Sequence, residues 1–174
     1  SRSAGQLLDH AMVNFRADQL QTEALDLRKL TAETVERLSP TAELKDISII
    51  MQDQGGDFDF DGDPIMLQNA LRNILDNAIK YSFFESDITV ALGRDAHNYI
   101  ISFADQGRGF AGANLSDHLQ RFKRGTNVKD IVGSGLGLTI VDEVARAHGG
   151  RVKINNNTDT KGGGACVSLY FPLV

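Results

Sequence analysis

One stretch, residues 67–82, constrains the fold of this chain more than any other, because it carries two helical stripes at once. It has the sequence LQNALRNILDNAIKYS. Apolar residues recur there at spacings of three and four, which places them on one face of a helix. Those residues are Leu67, Ala70, Leu71, Ile74, Leu75 and Ala78. With Asp63 as N-cap and Pro64 at the first helical position, the pattern predicts a helix over residues 64–82, buried against a sheet.

A polar stripe runs beside the apolar one on the same predicted helix. Asn69, Asn73, Asn77 and Lys80 follow one another at spacings of three or four, so their side chains stack along one face. Asparagine is a poor helix former, because its amide competes for backbone hydrogen bonds. The repeated asparagines therefore indicate a row of amides directed at a ligand, with a solvated polar face as the alternative for the helix taken alone.

The composition excludes several classes of protein. A net charge of −5 and a pI near 5.3 argue against a nucleic-acid-binding surface as the main function. The only cysteine, Cys166, cannot form an intrachain disulfide, and it fits a reducing compartment. No run approaches the roughly 18 apolar residues of a membrane span. We expect a soluble chain with one sizeable domain, or one domain with an appendage.

The remaining elements form no regular βαβ alternation, which favours an α+β arrangement. Residues 1–24 are helix-compatible, and a second helix is predicted over residues 26–38, ending before Pro40. Another helix is predicted over residues 138–148, with Gly149 at its end. The predicted strands cover residues 47–52, 57–61, 88–92, 99–104, 151–155 and 165–171. Residues 105–137 form a long glycine-rich connection, and a connection of this length is usually functional or mobile.

Residues 107–112 match the dinucleotide pattern GxGxxG, but the context excludes that fold. No helix begins directly on the third glycine and no parallel βαβ unit surrounds it. A P-loop sequence is also missing. The better interpretation is Asp105-x-Gly107-x-Gly109 at the end of a strand. The acid can accept a hydrogen bond from an exocyclic amine, and the glycines let a planar ring approach the backbone. An ordinary tight turn is the alternative.

A second glycine motif, Gly133-x-Gly135-x-Gly137, leads into the last predicted helix. Free backbone N–H groups and a helix N-terminus favour an anion, so the motif predicts a phosphate cradle; a hinge is the alternative. Between the two motifs, a basic cluster surrounds Phe122. Its members are Arg121, Lys123 and Arg124. Such a cluster can meet a polyphosphate, or it forms a solvated face of the loop.

In this order the motifs resemble the GHKL ATP-binding superfamily and, within it, the catalytic domain of bacterial sensor histidine kinases. Residues 73–82 are similar to the N box, 105–110 to the first glycine box, 121–125 to the F box and 133–138 to the second glycine box. The resemblance covers residues 25–174. It implies a Bergerat-type α/β (α+β) two-layer sandwich, with a mixed sheet of about five strands and three helices on one face. Residues 1–24 would then be the C-terminal helix remnant of a dimerisation and phosphoacceptor domain.

The resemblance also implies roles for individual residues. Asp105 would recognise the adenine amino group, and Asn77 would ligate Mg²⁺ at the phosphates of ATP. The implied catalytic residues are Asn73, Asn77, Lys80, Arg121 and Arg124. The implied nucleotide-binding residues are Asn73, Asn77, Lys80, Tyr81, Asp105, Gly107, Gly109, Phe110, Phe122, Gly133, Ser134, Gly135, Leu136, Gly137 and Leu138.

Three positions refine the resemblance. Hydrolase relatives carry Glu at the position of Asn73 as general base for water, and an amide cannot accept that proton. The chain is therefore predicted to be a kinase. Lys123 replaces an aromatic residue common in the F box, which implies looser packing on Phe122. Cys166 stands where the family often has Thr near the adenine pocket, which puts a side-chain role there in doubt.

The phosphoacceptor is not identified in this chain. The family's acceptor histidine is followed by an acid and, a few residues on, a proline, whereas Ala11 follows His10. We interpret His97, His118 and His148 as structural or solvent-facing. The resemblance implies transfer of the γ-phosphate to a histidine on the dimerisation domain of a homodimeric parent, then relay to a response regulator aspartate. It implies a cytoplasmic location under a membrane-anchored parent, without nucleic acid or membrane contact. The alternatives are a non-enzymatic nucleotide-gated module and a serine-directed anti-sigma-factor kinase.

Overall fold

The computed structural model describes residues 20–107, 136–156 and 164–173. In chain order the elements are β1 (Glu23–Asp26), α1 (Leu27–Glu43), β2 (Ser48–Asp53), β3 (Asp59–Gly62), α2 (Pro64–Tyr81), β4 (Asp87–Arg94), β5 (Asn98–Ala104), α3 (Leu136–Ala147), β6 (Arg151–Asn156) and β7 (Ala165–Pro172).

The main sheet of the described residues has five strands in the order β2-β4-β5-β7-β6. β2 and β4 are parallel, and the other neighbours are antiparallel. The predicted mixed sheet of about five strands is therefore confirmed. β3 was also predicted, but β1, with which it forms a separate antiparallel pair, was not.

The three described helices cover one face of this sheet and share one apolar core with it. α2 lies between α1 and α3 and buries the predicted apolar stripe together with two further residues. Its buried residues are Met66, Leu67, Ala70, Leu71, Ile74, Leu75, Ala78 and Ile79. On the strands beneath, Val90 of β4 and Ile101 of β5 are fully buried. Burial of each large aliphatic side chain contributes about 1.5–3 kcal/mol, so this stripe anchors α2 on the sheet.

Two predicted boundaries were wrong. α1 does not end before Pro40 but continues through it to Glu43. The proline removes one helical hydrogen bond, and packing outweighs that loss because Ala42, beyond the proline, is 1% exposed. The helix predicted for residues 1–24 does not extend to its end either, because Glu23 and Ala24 lie in β1 and pair with β3. Residues 1–19 lie outside the described part, so the domain division after residue 24 stays a prediction.

Candidate functional site

A small cavity opens where α2, the end of β5, the start of α3 and β7 meet. It is lined by Ile74, Asn77, Ala78, Phe103, Asp105, Leu138, Ala165 and Val167. Most of these side chains are apolar, and Asn77 and Asp105 are the polar ones. Apolar walls with a few placed polar groups are typical of small-molecule binding sites. The structure thus brings together three residues predicted from the sequence: Asn77, Asp105 and Leu138.

Asp105 follows the last residue of β5, and its side chain is buried at 6% exposure. Its Oδ1 accepts hydrogen bonds from the backbone N–H groups of Gly107 and Ala165, both at 2.9 Å. Burial raises the pKa of this carboxyl, and the two backbone N–H donors act against that rise. The carboxyl group is therefore held in one orientation at the edge of the cavity.

Asn77 differs from Asn73, which lies one turn before it on α2. The Nδ2 of Asn73 donates a 2.8 Å hydrogen bond to the carbonyl of Asn69, within the helix itself. The Nδ2 of Asn77 is buried and has no hydrogen-bond partner among the described residues. Leaving such a donor unsatisfied costs about 1–3 kcal/mol. Since Asn77 also lines the cavity, its amide has the environment expected of a ligand-binding group.

The other predicted site residues on α2 lie outside the cavity wall. Lys80 is exposed and Tyr81 is half-buried, with the Lys80 Nζ 5.4 Å from the centre of the Tyr81 ring. Leu136 and Gly137 are the first residues of α3. The remaining predicted residues fall outside the described part of the chain. They are Gly109, Phe110, Arg121, Phe122, Arg124, Gly133, Ser134 and Gly135.

A glycine is needed at position 107 for a structural reason that the sequence interpretation missed. A Cβ atom at this position would lie 2.0 Å from the Tyr81 carbonyl oxygen. Gly107 also forms a β-bridge with Ser82, directly after α2. The glycine is required because the chain leaving β5 passes against the C-terminal end of α2.

Gly164 and Ala165, which sequence reasoning missed, complete the surroundings of Asp105. Gly164 has a φ of +138°, and a Cβ there would lie 2.0 Å from the Asp105 carbonyl oxygen. Ala165 also accepts the 2.9 Å hydrogen bond from the Asp105 backbone N–H. The run of three glycines before β7 was the available signal, since glycine often marks a close backbone approach.

Lys45, in the connection between α1 and β2, is another missed residue. Its Nζ donates hydrogen bonds to the carbonyls of Ile79 at 2.8 Å, Lys80 at 3.2 Å and Ser82 at 2.7 Å. Helices end with carbonyls that have no partner within the helix, and a cation there is favourable. No local pattern indicated this contact, because it joins segments far apart in the sequence.

The opposite end of α2 is held by His148. Asp63 caps the helix by accepting hydrogen bonds from the N–H groups of Ile65 and Met66, which confirms the predicted N-cap. The Asp63 N–H donates to the His148 Nε2 at 2.9 Å, and the Nδ1 of that ring bonds the Val144 carbonyl at 2.8 Å. With one nitrogen accepting, the ring is neutral, and burial lowers its pKa. The prediction that His148 is structural is confirmed.

Within the part of the chain that the structure describes, no helix combines the length and apolar character needed to cross a membrane.

Comparison with protein families finds one match over residues 62–174, to the model described as "Histidine kinase-, DNA gyrase B-, and HSP90-like ATPase". Sensor histidine kinase YvrG of Bacillus subtilis is 28% identical over 181 residues, which cover 98% of this chain and 30% of that protein. Sensor protein QseC of Salmonella typhimurium is 32% identical over 157 residues, covering 88% of this chain and 34% of that protein. The chain thus spans about a third of the length of these relatives.

Solved structures show the same fold. The mycobacterial sensor histidine kinase MprB matches with a TM-score of 0.71 and 27% identity, covering 87% of this chain and 97% of that one. The nucleotide-free catalytic domain of histidine kinase ThkA matches with a TM-score of 0.74 over the same shares of the two chains. Its identity is 18%, so that likeness concerns the fold alone.

Proposed function

The chain belongs to the family of histidine kinase-, DNA gyrase B- and HSP90-like ATPases, and from this premise we propose that it is the catalytic domain of a sensor histidine kinase. The family implies ATP as the ligand. In the proposal, the chain binds ATP with Mg²⁺ and transfers the γ-phosphate to a histidine on a dimerisation domain. The observation that carries the proposal is the cavity, which is lined by both the buried Asp105 carboxyl and the Asn77 amide, whose Nδ2 has no hydrogen-bond partner among the described residues.

Asp105 is proposed to recognise adenine. Its carboxylate accepts a hydrogen bond from the exocyclic amine, and the backbone N–H groups of Gly107 and Ala165 hold it in place for this contact. Guanine presents a carbonyl oxygen where adenine presents its amine, so the same carboxylate would face another acceptor. The apolar walls from Ile74 and Leu138 enclose the flat ring. These contacts favour adenine over guanine.

Asn77 is proposed to hold Mg²⁺ together with the phosphates of ATP. An amide oxygen is a hard, neutral ligand, and Mg²⁺ is commonly bound by few protein groups plus substrate phosphates. The Asn77 amide fits this role, since it can turn about χ2 to present Oδ1 without breaking a hydrogen bond of its Nδ2. When bound, the metal neutralises charge on the phosphates. Lys80 and Tyr81, on the last turn of α2, are proposed to flank the nucleotide.

The protein groups act in this reaction by positioning and by charge. Asn73 cannot serve as a general base, because an amide oxygen has no useful basicity at neutral pH. Its Nδ2 is already committed to the Asn69 carbonyl. Water is therefore not activated from this position, which supports transfer of the phosphate to a protein acceptor. Arg121 or Arg124 is proposed to approach the γ-phosphate, with the glycines of residues 133–137 around the phosphates.

The rest of the reaction involves protein beyond this domain. We propose that residues 1–24 end a dimerisation domain, that residues 25–174 form the catalytic domain, and that the parent is a homodimer. Its phosphohistidine would pass the phosphate to a response regulator aspartate. We further propose that the domain acts in the cytoplasm under a membrane-anchored sensor.

The test combines ATP binding with phosphate transfer. The purified chain is titrated with ATP and Mg²⁺ by calorimetry, and is then incubated with labelled ATP and the separately purified dimerisation domain of its parent. The proposal predicts saturable binding and a label on the acceptor histidine. Binding without any label on an intact acceptor would favour the nucleotide-gated module, a label on serine would favour the anti-sigma-factor kinase, and absence of binding would refute the site.

A further inference from the structure

We propose that Lys45 is a positioning residue for the nucleotide site, although it comes from a connection outside every family motif. This inference rests on the proposed function, because it assumes that the cavity between Asn77 and Asp105 receives the nucleotide. Lys45 is not proposed to touch ATP. Its role is to hold the last turn of α2, and through that turn the loop that carries Asp105.

The Lys45 side chain contacts the C-terminal end of α2 directly. The Lys45 Nζ donates to three carbonyls, those of Ile79, Lys80 and Ser82, at 2.8, 3.2 and 2.7 Å. An ammonium group has three N–H donors, so the cation is saturated by this one helix end. Its charge also opposes the negative end of the helix macrodipole. A single side chain thereby fixes the backbone of the turn that follows Asn77.

The last turn of α2 is linked to the other wall of the cavity through Ser82 and Gly107. Ser82, whose carbonyl accepts from Lys45, forms the β-bridge with Gly107. The Gly107 N–H in turn donates to the Oδ1 of Asp105 at 2.9 Å. A displacement of Ser82 would therefore move the donor that orients the carboxyl. Lys45 thus restrains both polar groups of the site, Asn77 through the helix and Asp105 through the bridge.

Lys45 itself is held in place by backbone hydrogen bonds. Its backbone N–H donates to the Ala42 carbonyl at 3.0 Å, and its carbonyl accepts from the Glu85 N–H at 3.0 Å. Asp46 has a φ of 54° and Glu85 a φ of 61°, which non-glycine residues seldom adopt. These two loops place Lys45 under the end of α2, and its Nζ lies 5.3 Å from the centre of the Phe84 ring. Such backbone positions are maintained only where the surroundings enforce them.

The experiment compares three variants of the full chain. Lys45→Met keeps most of the aliphatic stem and removes the ammonium, and Lys45→Arg keeps a cation with several donors. Lys29→Met is the matched control, because Lys29 is exposed on α1 at the groove beside β1 and β3. The affinity for ATP with Mg²⁺ is measured by calorimetry, well below the melting temperature of each variant. Hydrogen exchange of residues 78–82 is measured without nucleotide.

The expected result is a selective loss of affinity. Lys45→Met weakens ATP binding about tenfold, since one cation satisfies three charge-assisted hydrogen bonds at the helix end. It also accelerates exchange at residues 78–82 but not at the start of α2. Lys45→Arg restores most of the affinity, and Lys29→Met binds like the wild type.

Two outcomes overturn the inference, and they differ from failure of the proposed function. If Lys45→Met lowers the melting temperature but binds ATP as tightly as the wild type, Lys45 contributes only to stability. If Lys29→Met weakens binding as much as Lys45→Met, the effect is one of overall charge. If the wild-type chain itself does not bind ATP, the proposed function fails first, and the inference fails with it.

Discussion

The two ends of α2 differ in how completely the protein satisfies the hydrogen-bonding groups there. At its N-terminal end, the cap is built from Asp63, at 0% exposure, and the neutral His148, at 8%. At its C-terminal end, the exposed connection after α1 supplies Lys45, and the Asn77 amide nearby keeps a buried donor that no described residue satisfies. The first end is completed by the protein. Near the second end, Lys45 satisfies three backbone carbonyls, and the Asn77 Nδ2 is left for the proposed ligand.

This difference separates stability from function along one helix. Polar groups that are buried and fully hydrogen-bonded specify the packing, whereas an orphaned buried group costs stability and marks a site where a ligand can repay it. Changes at the N-terminal end should therefore act on folding. Changes at the C-terminal end should act on ATP binding, with smaller effects on folding unless the backbone itself is blocked.

The largest effect is expected where a side chain would enter the backbone. A Cβ at Gly107 would lie 2.0 Å from the Tyr81 carbonyl oxygen, and one at Gly150 would lie 2.0 Å from that of Tyr170. We expect Gly107→Ala and Gly150→Ala each to lower the free energy of unfolding by about 3–5 kcal/mol. Gly93→Ala is the control, because its Cβ would meet only the movable Gln54 side chain. Urea denaturation measures the difference.

The same pair of variants tests the comparison between the ends, because Gly150 follows two residues after His148, which holds the N-terminal end of α2. Gly107→Ala should also weaken ATP binding of the remaining folded protein, whereas Gly150→Ala should bind normally once the folded fraction is taken into account. Equal loss of affinity in both variants would contradict the separation of stability from function.

The next largest effect concerns the ligand side of the cavity. Asp105→Asn should weaken ATP binding by about 1.5–3 kcal/mol, because a charge-assisted hydrogen bond to the adenine amine is lost. Folding should not suffer, because the amide oxygen can still accept from Gly107 and Ala165 and the burial cost of the carboxylate disappears. Calorimetry and thermal unfolding are measured together. Asp95→Asn, in the exposed turn between β4 and β5, is the control, and unchanged affinity in Asp105→Asn would remove Asp105 from the adenine site.

A smaller effect on the free energy of unfolding is expected from a change of pH, through His148 at the N-terminal end of α2. Burial lowers the pKa of His148 in the folded chain. Below about pH 6.5, the unfolded histidine binds a proton that the folded one does not, so the free energy of unfolding should fall as the pH decreases from 7.5 to about 5.5. His148→Gln should flatten this slope. His97→Gln, which replaces an exposed histidine, is measured as the control.

The buried Asp105 carboxyl should change the free energy of unfolding with pH in the direction opposite to His148. This difference checks whether the slope is assigned to the correct group. Burial raises the pKa of Asp105, so its contribution to stability falls as the pH rises above the unfolded value near 3.8. Repeating the titration in Asp105→Asn removes this contribution and leaves that of His148. If the slope between pH 7.5 and 5.5 persists in His148→Gln, another group is responsible for it.

The smallest effect is expected at Cys166, which is half-buried in β7. Its neighbours Ala165 and Val167 line the cavity, whereas the Cys166 Sγ lies 3.8 Å from the Ser168 Oγ. Successive side chains of a strand point to opposite faces, so Cys166 faces away from the cavity. Cys166→Thr should change the ATP affinity less than about twofold. A larger change would mean that the site extends through β7.

The sequence by itself determined the features that depend on local periodicity and local chemistry. The apolar stripe of α2, its Asp63 cap, the five strands of the main sheet and the position of Asp105 at the end of β5 were all predicted. Each follows from residues close in sequence, since helical and strand spacing sort side chains by face. The basic loop and the first two glycines of the second glycine motif, Gly133 and Gly135, lie outside the described residues and stay predictions.

The tertiary structure decided what depends on distant segments meeting. β1 forms because β3 offers it a partner, and α1 passes through Pro40 because the core holds Ala42 beyond it. Gly107 is required because a side chain there would meet the Tyr81 carbonyl, and not only because of a ligand. Lys45 contacts the end of α2 although Ile79, one of its partners there, is 34 residues away in the sequence. Such contacts produce no periodic pattern in the sequence. Each joins a single residue to a backbone group, and every residue has such backbone groups.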